Sequence, residues 1–429
     1  MKKTVQPAAA LQGTVTLPPD KSISHRAAMF AALSDEESVI GNYSNAADPQ
    51  STLSCLGQLG VRVQRDNNRV TIQGVGRDHF QKPDAPLDCG NSGTTMRLMS
   101  GILAGAGVPC TLTGDDSLSS RTMKRIINPL RQMGCEITGR DDEFAPLKIG
   151  EHSGVQAIRF PLPIASAQLK SCVLLAGLFG DEPTEVVETV LSRDHTERLL
   201  GLKSEPFGTG KIIRSSRSDK LPAQNYSVPG DFSGAAFWLV GGLLSGSSQI
   251  KLPSVGTNPS RTALLTILKE MGAEIREENP GMAGHEPIAD FTVSGSELKP
   301  LNPDPALIPN CIDELPILMV AMCFADGIST ITGAEELRHK ETDRLEAMHK
   351  ILTAAGAETE LHKDGITIHG DPEFIPAPAE YNPYHDHRMA MAAAILAGKS
   401  NGESVIRDAD CTAISYPSFW DDLEMLRVK

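Results

Sequence analysis

The sequence predicts an α/β fold built from six related units, each a helix followed by a strand, a turn and a second strand. Two observations predict it. A glycine that follows an apolar helical stretch recurs at positions 60, 134, 201, 272 and 356, at intervals of 74, 67, 71 and 84 residues. Alternating apolar residues follow these glycines. Gly is expected at the left-handed position that ends a helix, and alternation is typical of a strand.

A second short alternating segment follows in most copies, at 70–74, 147–150, 291–295 and 366–370. A sixth unit of similar length ends near 423–426. The near-even intervals and the paired strands argue against chance recurrence of a common helix stop. Repeats of this kind indicate duplicated supersecondary units that share cores. Six units divide naturally into two domains of three.

Composition supports a multidomain globular protein. The chain has 429 residues, 40% of them hydrophobic and 22% charged, which is long enough for two or more domains. No apolar run approaches the length of a membrane span, and no hydrophobic signal region precedes Gly13. We therefore expect a cytoplasmic location. The eight cysteines form no C-x-x-C pair and no zinc spacing, so we expect reduced, mostly buried thiols and no zinc site.

Charge excludes several classes of partner. The net charge of −14 argues against a nucleic-acid surface or an anionic membrane. Aromatic residues make up 4% of the chain, which argues against platforms that stack bases. Small anionic substrates remain compatible, because local groups of Arg and Lys can oppose the overall sign.

The first candidate site lies where a strand meets a helix. Residues 14–17 alternate like a strand and stop at two prolines, after which Lys21, Ser22 and Arg26 enter a helix. Backbone N–H groups and the helix dipole favour an anion at such a turn. Ordinary capping explains a serine here, but not Lys21 and Arg26 on either side of the same turn. The prolines also suit a crossover between domains.

Four further helix starts in the first half of the chain carry similar side chains. The segment 90–97 is rich in Gly, Ser and Thr, which lets the backbone close on a ligand and adds hydroxyl donors. It lacks the Gly-Lys-Ser/Thr of a P-loop, so ATP binding is not predicted. Arg121, the segment 163–170 and the segment 192–197 also precede helices. Capping explains each one alone, but together they indicate an electropositive surface in an acidic protein.

The second half of the chain supplies carboxylates. Residues 228–233 resemble a second crossover into a helix. Asp313 precedes a buried helix and is a candidate base, with N-capping an equally good explanation from this stretch alone. The pair His385 and His387 lacks a third ligand at a sensible spacing, so no metal is predicted there.

The stretch 337–345 introduces an amphipathic helix. Apolar residues at steps of three and four predict the helix, with Thr342 as its N-cap. On that geometry Lys340 and Arg344 lie on one side, where like charges repel and a bound anion would relieve the repulsion. A solvated charged face is the alternative.

These stretches together resemble the 5-enolpyruvylshikimate-3-phosphate synthases, a branch of the enolpyruvyl transferases, over the whole chain. The resemblance rests on six motifs: Lys21-Ser22-x-Ser24-x-Arg26, Gly90-Asn91-Ser92-Gly93-Thr94-x-Met96-Arg97, Ser166-x-Gln168, Asp313-Glu314-Leu315-Pro316, Lys340-Glu341-Thr342-Asp343-Arg344 and Asp386-His387-Arg388-Met389. Their combination is specific, although no single motif is.

The resemblance implies an inside-out α/β barrel fold: two similar domains, each of three βαβαββ-like units, closing over a site between them. One domain would comprise residues 20–228, and the other residues 1–19 and 229–429. The crossovers would lie near Asp20-Lys21 and near Val228–Asp231.

The resemblance also implies a reaction. Enolpyruvyl would pass from phosphoenolpyruvate to the 5-hydroxyl of shikimate 3-phosphate through a tetrahedral intermediate, with release of phosphate and without metal or cofactor. Glu341 would donate a proton, Asp313 would accept one, and Lys21 would be the third catalytic residue. Phosphoenolpyruvate would be held by Lys21, Gly93, Arg121, Gln168, Arg344 and Arg388. Shikimate 3-phosphate would be held by Lys21, Ser22, Arg26, Ser166, Ala167, Arg193, Asp313 and Lys340. Partners would be these small anions alone, and we expect a monomer.

The sequence departs from the common pattern in places. The segment 411–417 carries no basic residue, so no phosphate contact is expected from it. Leu98 replaces a frequent Pro, and Ala167 replaces a Ser, which indicates a bacterial branch with altered response to glyphosate. Gly93 is retained where the resistant type often has Ala, so the inhibitor response stays open.

Two other functions compete with this one. UDP-N-acetylglucosamine enolpyruvyl transferases share the repeat architecture, but their reactive loop cysteine has no counterpart in residues 117–122. A non-catalytic binder of phosphorylated metabolites would use the basic residues but give Asp313 and Glu341 no role. Phosphate release that depends on the acceptor distinguishes the three.

Overall fold

The structure is a computed structural model that describes residues 1–428. The chain forms two compact units. Unit A contains Pro19–Val228 and the short segment Ala283–Glu286. Unit B contains Met1–Pro18, Pro229–Met282 and the chain from Pro287 onward.

The chain begins in unit B with two strands, β1 (Lys3–Val5) and β2 (Ala10–Thr14). The strand predicted at 14–17 is therefore wrong in its bounds. Val15 and Leu17 are buried while Thr16 is exposed, so the alternation reports burial beyond the end of the paired strand.

Unit A consists of three repeats of one pattern. Its elements in chain order are α1 (Lys21–Leu33), β3 (Glu37–Gly41), α2 (Ala47–Gln58), β4 (Arg62–Asp66), β5 (Arg69–Gln73), β6 (Leu87–Asp88), α3 (Gly93–Ala106), β7 (Cys110–Thr113), α4 (Asp116–Ser119), α5 (Lys124–Gln132), β8 (Ile137–Arg140), β9 (Phe144–Ile149), β10 (Arg159–Pro161), α6 (Ala167–Gly177), β11 (Thr184–Glu188), α7 (His195–Leu200), β12 (Ser204–Phe207), β13 (Gly210–Ser215) and β14 (Tyr226–Ser227).

The three sheets of unit A share one topology. Their strand orders are β14-β3-β5-β4, β6-β7-β9-β8 and β10-β11-β13-β12. In each sheet the first pair is parallel and the two following pairs are antiparallel. The first sheet takes its parallel strand, β14, from the end of the unit's main segment.

Unit B continues the pattern. Its further elements are α8 (Phe232–Leu243), β15 (Gln249–Gly256), α9 (Ala263–Glu270), β16 (Ile275–Ala283), β17 (Glu286–Ser294), a 3-10 helix (Pro305–Asn310), α10 (Leu315–Cys323), β18 (Gly327–Ile331), a 3-10 helix (Glu335–His339), α11 (Arg344–Ala354), β19 (Glu358–Leu361), β20 (Ile366–Gly370), β21 (Glu380–Tyr381), α12 (His387–Ala397), β22 (Ser404–Ile406), a 3-10 helix (Ala409–Ile414), α13 (Phe419–Leu426) and β23 (Arg427–Val428).

The N-terminal strands complete sheets of unit B. The strand orders are β16-β17-β15-β2-β23, β18-β20-β19 and β1-β22-β21. β2 pairs in parallel with β15 and antiparallel with β23, while β1 pairs antiparallel with β22. The sheets of unit B are therefore complete only when the N-terminal strands pair with strands from the C-terminal part of the chain.

Each predicted glycine ends a helix in the same way. Gly60, Gly134, Gly201, Gly272 and Gly356 all have positive φ, between 63° and 96°. In each copy the N–H of the residue after the glycine bonds a carbonyl five positions back, at 2.9 to 3.1 Å. This is the Schellman motif, which favours Gly because a Cβ is strained at positive φ. The prediction of five matching helix ends is confirmed.

The apolar helices explain why, within each unit, the helices lie in the interior and the sheets lie at the surface. Every residue of α8, α10 and α12 is buried in unit B, and most residues of α1, α3 and α6 are buried in unit A. A helix that is apolar on all sides has to lie in the interior. The strands bury alternate residues, as β9 does, so each sheet covers the helices with one face. Each unit has its own hydrophobic core.

Within residues 1–428 the structure contains no helix with the length and apolar character needed to cross a membrane. All eight cysteines are free thiols, and seven of them are buried. The prediction that most of the cysteines are buried is confirmed, and their reduced state stays a prediction.

Candidate functional site

The start of α1 places Lys21 beside a carboxylate of unit A. Asp20 caps the helix by accepting a hydrogen bond from the Ile23 N–H at 2.8 Å. Lys21 Nζ then lies 3.0 Å from Asp48 Oδ2, with both side chains largely buried. Asp48 thus fixes the position of the Lys21 amine, and no pattern in the sequence indicated this partner.

Arg26 lies about one helical turn after Ser22 in α1, and its guanidinium donates hydrogen bonds to residues of three helices. Its Nε donates to Thr196 Oγ1 at 2.8 Å, Nη1 to the Ser22 carbonyl at 3.1 Å, and Nη2 to Ser171 Oγ at 3.1 Å. Burial lowers the pKa of Arg26 to about 10. Arg26 therefore joins α1, α6 and α7, and its carbonyl contact holds the backbone that bears Ser22.

A second group forms where α3 and α6 begin. Arg97 Nη1 donates to Gln168 Oε1, and Gln168 Nε2 donates to Thr94 Oγ1 at 3.0 Å. A Cβ at Gly93 would lie 3.2 Å from Arg97 Nη1 and 3.7 Å from Arg121 Nη1. The structure therefore brings the predicted residues Gly93, Arg121 and Gln168 to one place, with Arg97 between them.

Arg121 is oriented by the loop in front of α3. Its Nη2 donates to Asn91 Oδ1 at 2.7 Å and to Ser117 Oγ at 3.1 Å. Arg97 and Asn91 were visible in the glycine-rich motif but had no predicted role. The signal for them was that they share a motif with Gly93.

The remaining predicted residues of unit A lie at the starts of α6 and α7. Ser166 caps α6, its Oγ accepting from the Leu169 N–H at 3.4 Å, and Ala167 is the first helical residue. Arg193 lies half-buried in the loop before α7, near enough that its charge contributes to lowering the pKa of Arg26.

A buried ion-pair cluster anchors the loop that bears Arg193. Lys170 Nζ lies 3.0 Å from Glu188 Oε1 and 2.8 Å from Glu197 Oε1, with its side chain fully buried. Glu188 also accepts from the Ser192 N–H at 2.8 Å and from its hydroxyl. The residue next to Arg193 is thus tied to the core of unit A.

In unit B the predicted residues meet at Arg344, which is 1% exposed. Its guanidinium contacts three carboxylates: Nη1 lies 3.1 Å from Asp313 Oδ1, Nη2 lies 2.6 Å from Glu341 Oε2, and Nε lies 2.7 Å from Asp386 Oδ2. Burial opposes the charge, but the carboxylates outweigh it and raise the pKa of Arg344. The candidate base and the candidate acid therefore share one cation.

Arg388 approaches Asp313 from α12. Its Nη1 donates to the Asp313 carbonyl at 3.1 Å, and its Nη2 lies 3.8 Å from Asp313 Oδ2. Asp386 caps α12, accepting from the Arg388 N–H at 2.9 Å, while its other oxygen holds Arg344. One carboxylate thus positions both arginines.

The helix prediction around Lys340 is wrong in its start. α11 begins at Arg344 with Asp343 as N-cap, which accepts from the Glu346 N–H at 3.1 Å, and Lys340 ends the preceding 3-10 helix with extended backbone. Thr342 is not the cap, and Lys340 and Arg344 do not lie one helical turn apart. Their charges still interact: burial, with a contribution from Arg344, lowers the pKa of Lys340, against the attraction of Asp313 and Glu336.

Within the described residues, no group of three or more His, Cys, Asp or Glu side chains is arranged to hold a metal ion. Each unit presents basic and hydroxyl side chains at helix starts, and in unit B three carboxylates contact Arg344, among them the candidate acid and the candidate base. This donor set suits anionic substrates and proton transfer.

The fold is that of the enolpyruvyl transferases. The enolpyruvyl transferase NikO from Streptomyces tendae superposes with a TM-score of 0.79 at 15% identity, over 99% of this chain and 96% of that chain. At this identity the likeness shows the fold alone. An EPSP synthase from Acinetobacter baumannii superposes with a TM-score of 0.89 at 38% identity, over 100% and 98% of the two chains. The predicted fold class is confirmed.

The family follows from the sequence comparisons. The family model described as EPSP synthase (3-phosphoshikimate 1-carboxyvinyltransferase) matches residues 5–423. Relatives named 3-phosphoshikimate 1-carboxyvinyltransferase are 47% identical in Salinibacter ruber, over 100% of both chains, and 42% identical in Bacillus cereus, over 99% of both. The chain belongs to the EPSP synthase family, as the motifs predict.

Proposed function

We propose that this chain transfers the enolpyruvyl group of phosphoenolpyruvate to the 5-hydroxyl of shikimate 3-phosphate and releases phosphate. Its membership of the EPSP synthase family and the names of its relatives support this activity. The observation that supports the site best is the convergence of Asp313 and Glu341 on Arg344. A metabolite binder would not need two carboxylates beside its anion-binding arginine.

Proton transfers in an addition step and in an elimination step define the proposed mechanism. In the addition step, Asp313 accepts the proton of the 5-hydroxyl group, and the hydroxyl oxygen forms a bond to C2 of phosphoenolpyruvate. Glu341 donates a proton to C3 in the same step. In the elimination step, the Glu341 carboxylate takes a proton from C3, the C–H electrons form the C2–C3 double bond, and the C2–O bond breaks with its electrons leaving on phosphate. Each transfer requires a carboxyl group within hydrogen-bond reach of the reacting atom.

Anion binding would prepare these carboxylates. In the structure Asp313 and Glu341 both contact Arg344. We propose that the carboxylate or phosphate of phosphoenolpyruvate takes over these N–H groups, with Arg388 beside them, and leaves Asp313 and Glu341 to act on the substrates. Guanidinium groups bind such planar and trigonal anions through paired hydrogen bonds.

Unit A would supply the other contacts. We propose that Lys21, Gly93, Arg121 and Gln168 also hold phosphoenolpyruvate. Shikimate 3-phosphate would contact Lys21, Ser22, Arg26, Ser166, Ala167 and Arg193, together with Asp313 and Lys340. Arg26 uses one N–H of each of its three nitrogens within the protein. A guanidinium carries five N–H groups, so we propose that the two remaining ones, on Nη1 and Nη2, bind the phosphate while the contact to the Ser22 carbonyl places Ser22.

The domain assignment of 20–228 against 1–19 and 229–429 stays a prediction, as does domain closure. The same holds for a monomeric state and a cytoplasmic location. The eight free thiols support a reducing compartment. A solution mass other than 45.9 kDa by light scattering would contradict the monomer.

Phosphate release tests the activity directly. Phosphoenolpyruvate is supplied with shikimate 3-phosphate or with UDP-N-acetylglucosamine as acceptor. We expect release only with shikimate 3-phosphate, abolished in Lys21→Ala and lowered about 10²- to 10⁴-fold in Asp313→Ala, the usual range for losing a general base. Glu346 is an exposed carboxylate of α11, so Glu346→Gln is the matched control and should keep full activity.

Other outcomes would redirect the assignment. Release with the nucleotide sugar alone would place the chain with the sister transferases. No release with either acceptor, from protein that still binds both anions, would make it a binder.

A further inference from the structure

A cavity of about 180 Å³ lies in unit B, away from the residues assigned to substrates. The N-terminal segment covers one side of it, and the C-terminal ends of α8 and α12 and one face of α13 form the rest. Its walls are mainly apolar and include Leu11, Leu244, Ile395, Trp420 and Leu423. An apolar cavity of about 150 Å³ is large enough to take up benzene. The space therefore suits one compact hydrocarbon group.

Charge in this cavity is unbalanced. Lys3, Lys399 and Arg427 line it together with a single carboxylate, Glu424. Arg427 Nη2 lies 2.5 Å from Glu424 Oε1, so that pair balances itself. The ammonium groups of Lys3 and Lys399 remain, and within residues 1–428 neither lies within 4.0 Å of a carboxylate oxygen.

Lys399 is the better placed of the two. It directly follows α12 and Gly398 and is half-buried, and its burial lowers the pKa of the amine. A half-buried amine beside apolar walls is costly when nothing balances its charge. A carboxylate there would form a charge-assisted hydrogen bond, which is among the stronger polar contacts in proteins.

We infer that this cavity binds a small monocarboxylate with a compact aromatic or branched apolar body. The apolar group would fill the space between Leu244, Ile395 and Leu423, and the carboxylate would meet the amines of Lys399 and Lys3. No residue proposed above to hold phosphoenolpyruvate or shikimate 3-phosphate lines the cavity. Binding here is therefore independent of the proposed activity.

Calorimetric titration with 3-phenylpropanoate, using the full chain, tests this. The neutral analogue 3-phenylpropan-1-ol has the same body without the charge. We expect saturable binding of the acid, at least tenfold weaker binding of the alcohol, and at least tenfold weaker binding of the acid to Lys399→Met. Ala8→Leu, which enlarges a side chain lining the cavity, should weaken binding of both compounds.

Lys363→Met is the matched control, since its amine is 88% exposed on another part of unit B, and it should bind like the wild type. Thermal melts verify that each variant is folded, and Lys3→Met replaces Lys399→Met if that variant is not. Equal binding to wild type, Lys399→Met and Ala8→Leu would overturn the inference. So would an alcohol as tight as the acid, the absence of saturable heat, or displacement of the acid by shikimate 3-phosphate with phosphoenolpyruvate.

Discussion

Arg344 and Lys340 show how two nearby cations are treated differently. Arg344 is buried but has three carboxylate partners within 3.1 Å, whereas Lys340 Nζ lies 3.8 Å from Glu336 Oε1. An ammonium group is more readily deprotonated by burial than a guanidinium. The pKa of Arg344 is accordingly raised, and the pKa of Lys340 is lowered.

This difference predicts a pH dependence for shikimate 3-phosphate binding. Burial is the largest cause that lowers the pKa of Lys340 below its usual 10.5, with Arg344 adding to it and Asp313, Glu336 and Glu341 opposing it. Anion binding needs the protonated amine. As pH rises through this lowered pKa, affinity should fall at a pH where an ordinary lysine is still charged.

Lys340→Arg should keep its affinity to higher pH, because an arginine stays protonated. Calorimetric titration over an alkaline pH series compares the two proteins, and all other titrating groups are common to both. Identical pH profiles would mean that Lys340 does not meet the anion.

Lys170 gives a second prediction at the scale of a residue. Lys170→Met removes the fully buried cation of this cluster and leaves Lys211, which is 20% exposed, as the cation near Glu197 at 3.1 Å and Glu188 at 4.0 Å. Such a loss costs about 3 to 5 kcal/mol of unfolding free energy. Since Glu188 also holds Ser192, the variant should raise KM for shikimate 3-phosphate through Arg193.

The matched control for Lys170 is Arg159→Met. Arg159 pairs with Glu185 at 2.5 Å but is 54% exposed, and exposed pairs contribute about 0 to 1 kcal/mol. Urea unfolding of both variants measures the difference. Equal losses of stability would show that burial of the cluster is not what stabilises this loop.

At the scale of elements, two glycines distinguish the effect of backbone strain on stability from the effect of steric crowding. Gly356 has φ of 90°, and a Cβ there would meet nothing within 4 Å. Gly57 lies inside α2, and a Cβ there would also meet nothing within 4 Å. Gly356→Ala should therefore lower the unfolding free energy by about 1 to 2 kcal/mol.

Gly57→Ala should instead raise stability by about 0.5 to 1 kcal/mol, because Ala is the better helix former. Thermal melts of the two variants give opposite shifts if backbone conformation alone decides. Shifts of the same sign would contradict the Schellman geometry at Gly356.

These elements also show what local sequence can predict. The glycine at each helix end and the alternation after it act within a few residues, so the repeats were predictable. At the start of α11 two adjacent residues can cap, and Asp343 does so rather than Thr342, in keeping with the stronger preference for Asp. The partners of site residues lie far away in the chain: Asp48 for Lys21, Gln168 for Arg97 and Asp386 for Arg344. No local pattern encodes contacts of that range.

At the scale of the whole molecule, the order of the chain does not follow the order of its units. Residues 1–18 belong with residues beyond Pro229, and the tip of the β16–β17 hairpin, Ala283–Glu286, belongs to unit A. Within unit A that tip places Glu286 Oε1 2.8 Å from His195 Nδ1, both buried. The repeats predict how many units the chain contains. They do not predict that a segment of one unit packs in the other, because that depends on contacts between residues far apart in the chain.

Separate cores predict separate losses of stability. Val15 is fully buried in the core of unit B, although it comes from the N-terminal segment, and Val70 is fully buried in the core of unit A. Truncating either to Ala removes two buried methyl groups and leaves a small cavity, which costs about 2 kcal/mol of unfolding free energy.

Native-state hydrogen exchange shows which unit loses this stability, because amides report the opening of their own cooperative unit. Val15→Ala should speed exchange in α8, α10 and α12 and leave α3 and α6 unchanged, and Val70→Ala should do the reverse. If both variants shift the slowest amides of both units equally, the two cores unfold as one, and the N-terminal strands stabilise the whole chain rather than the unit they complete.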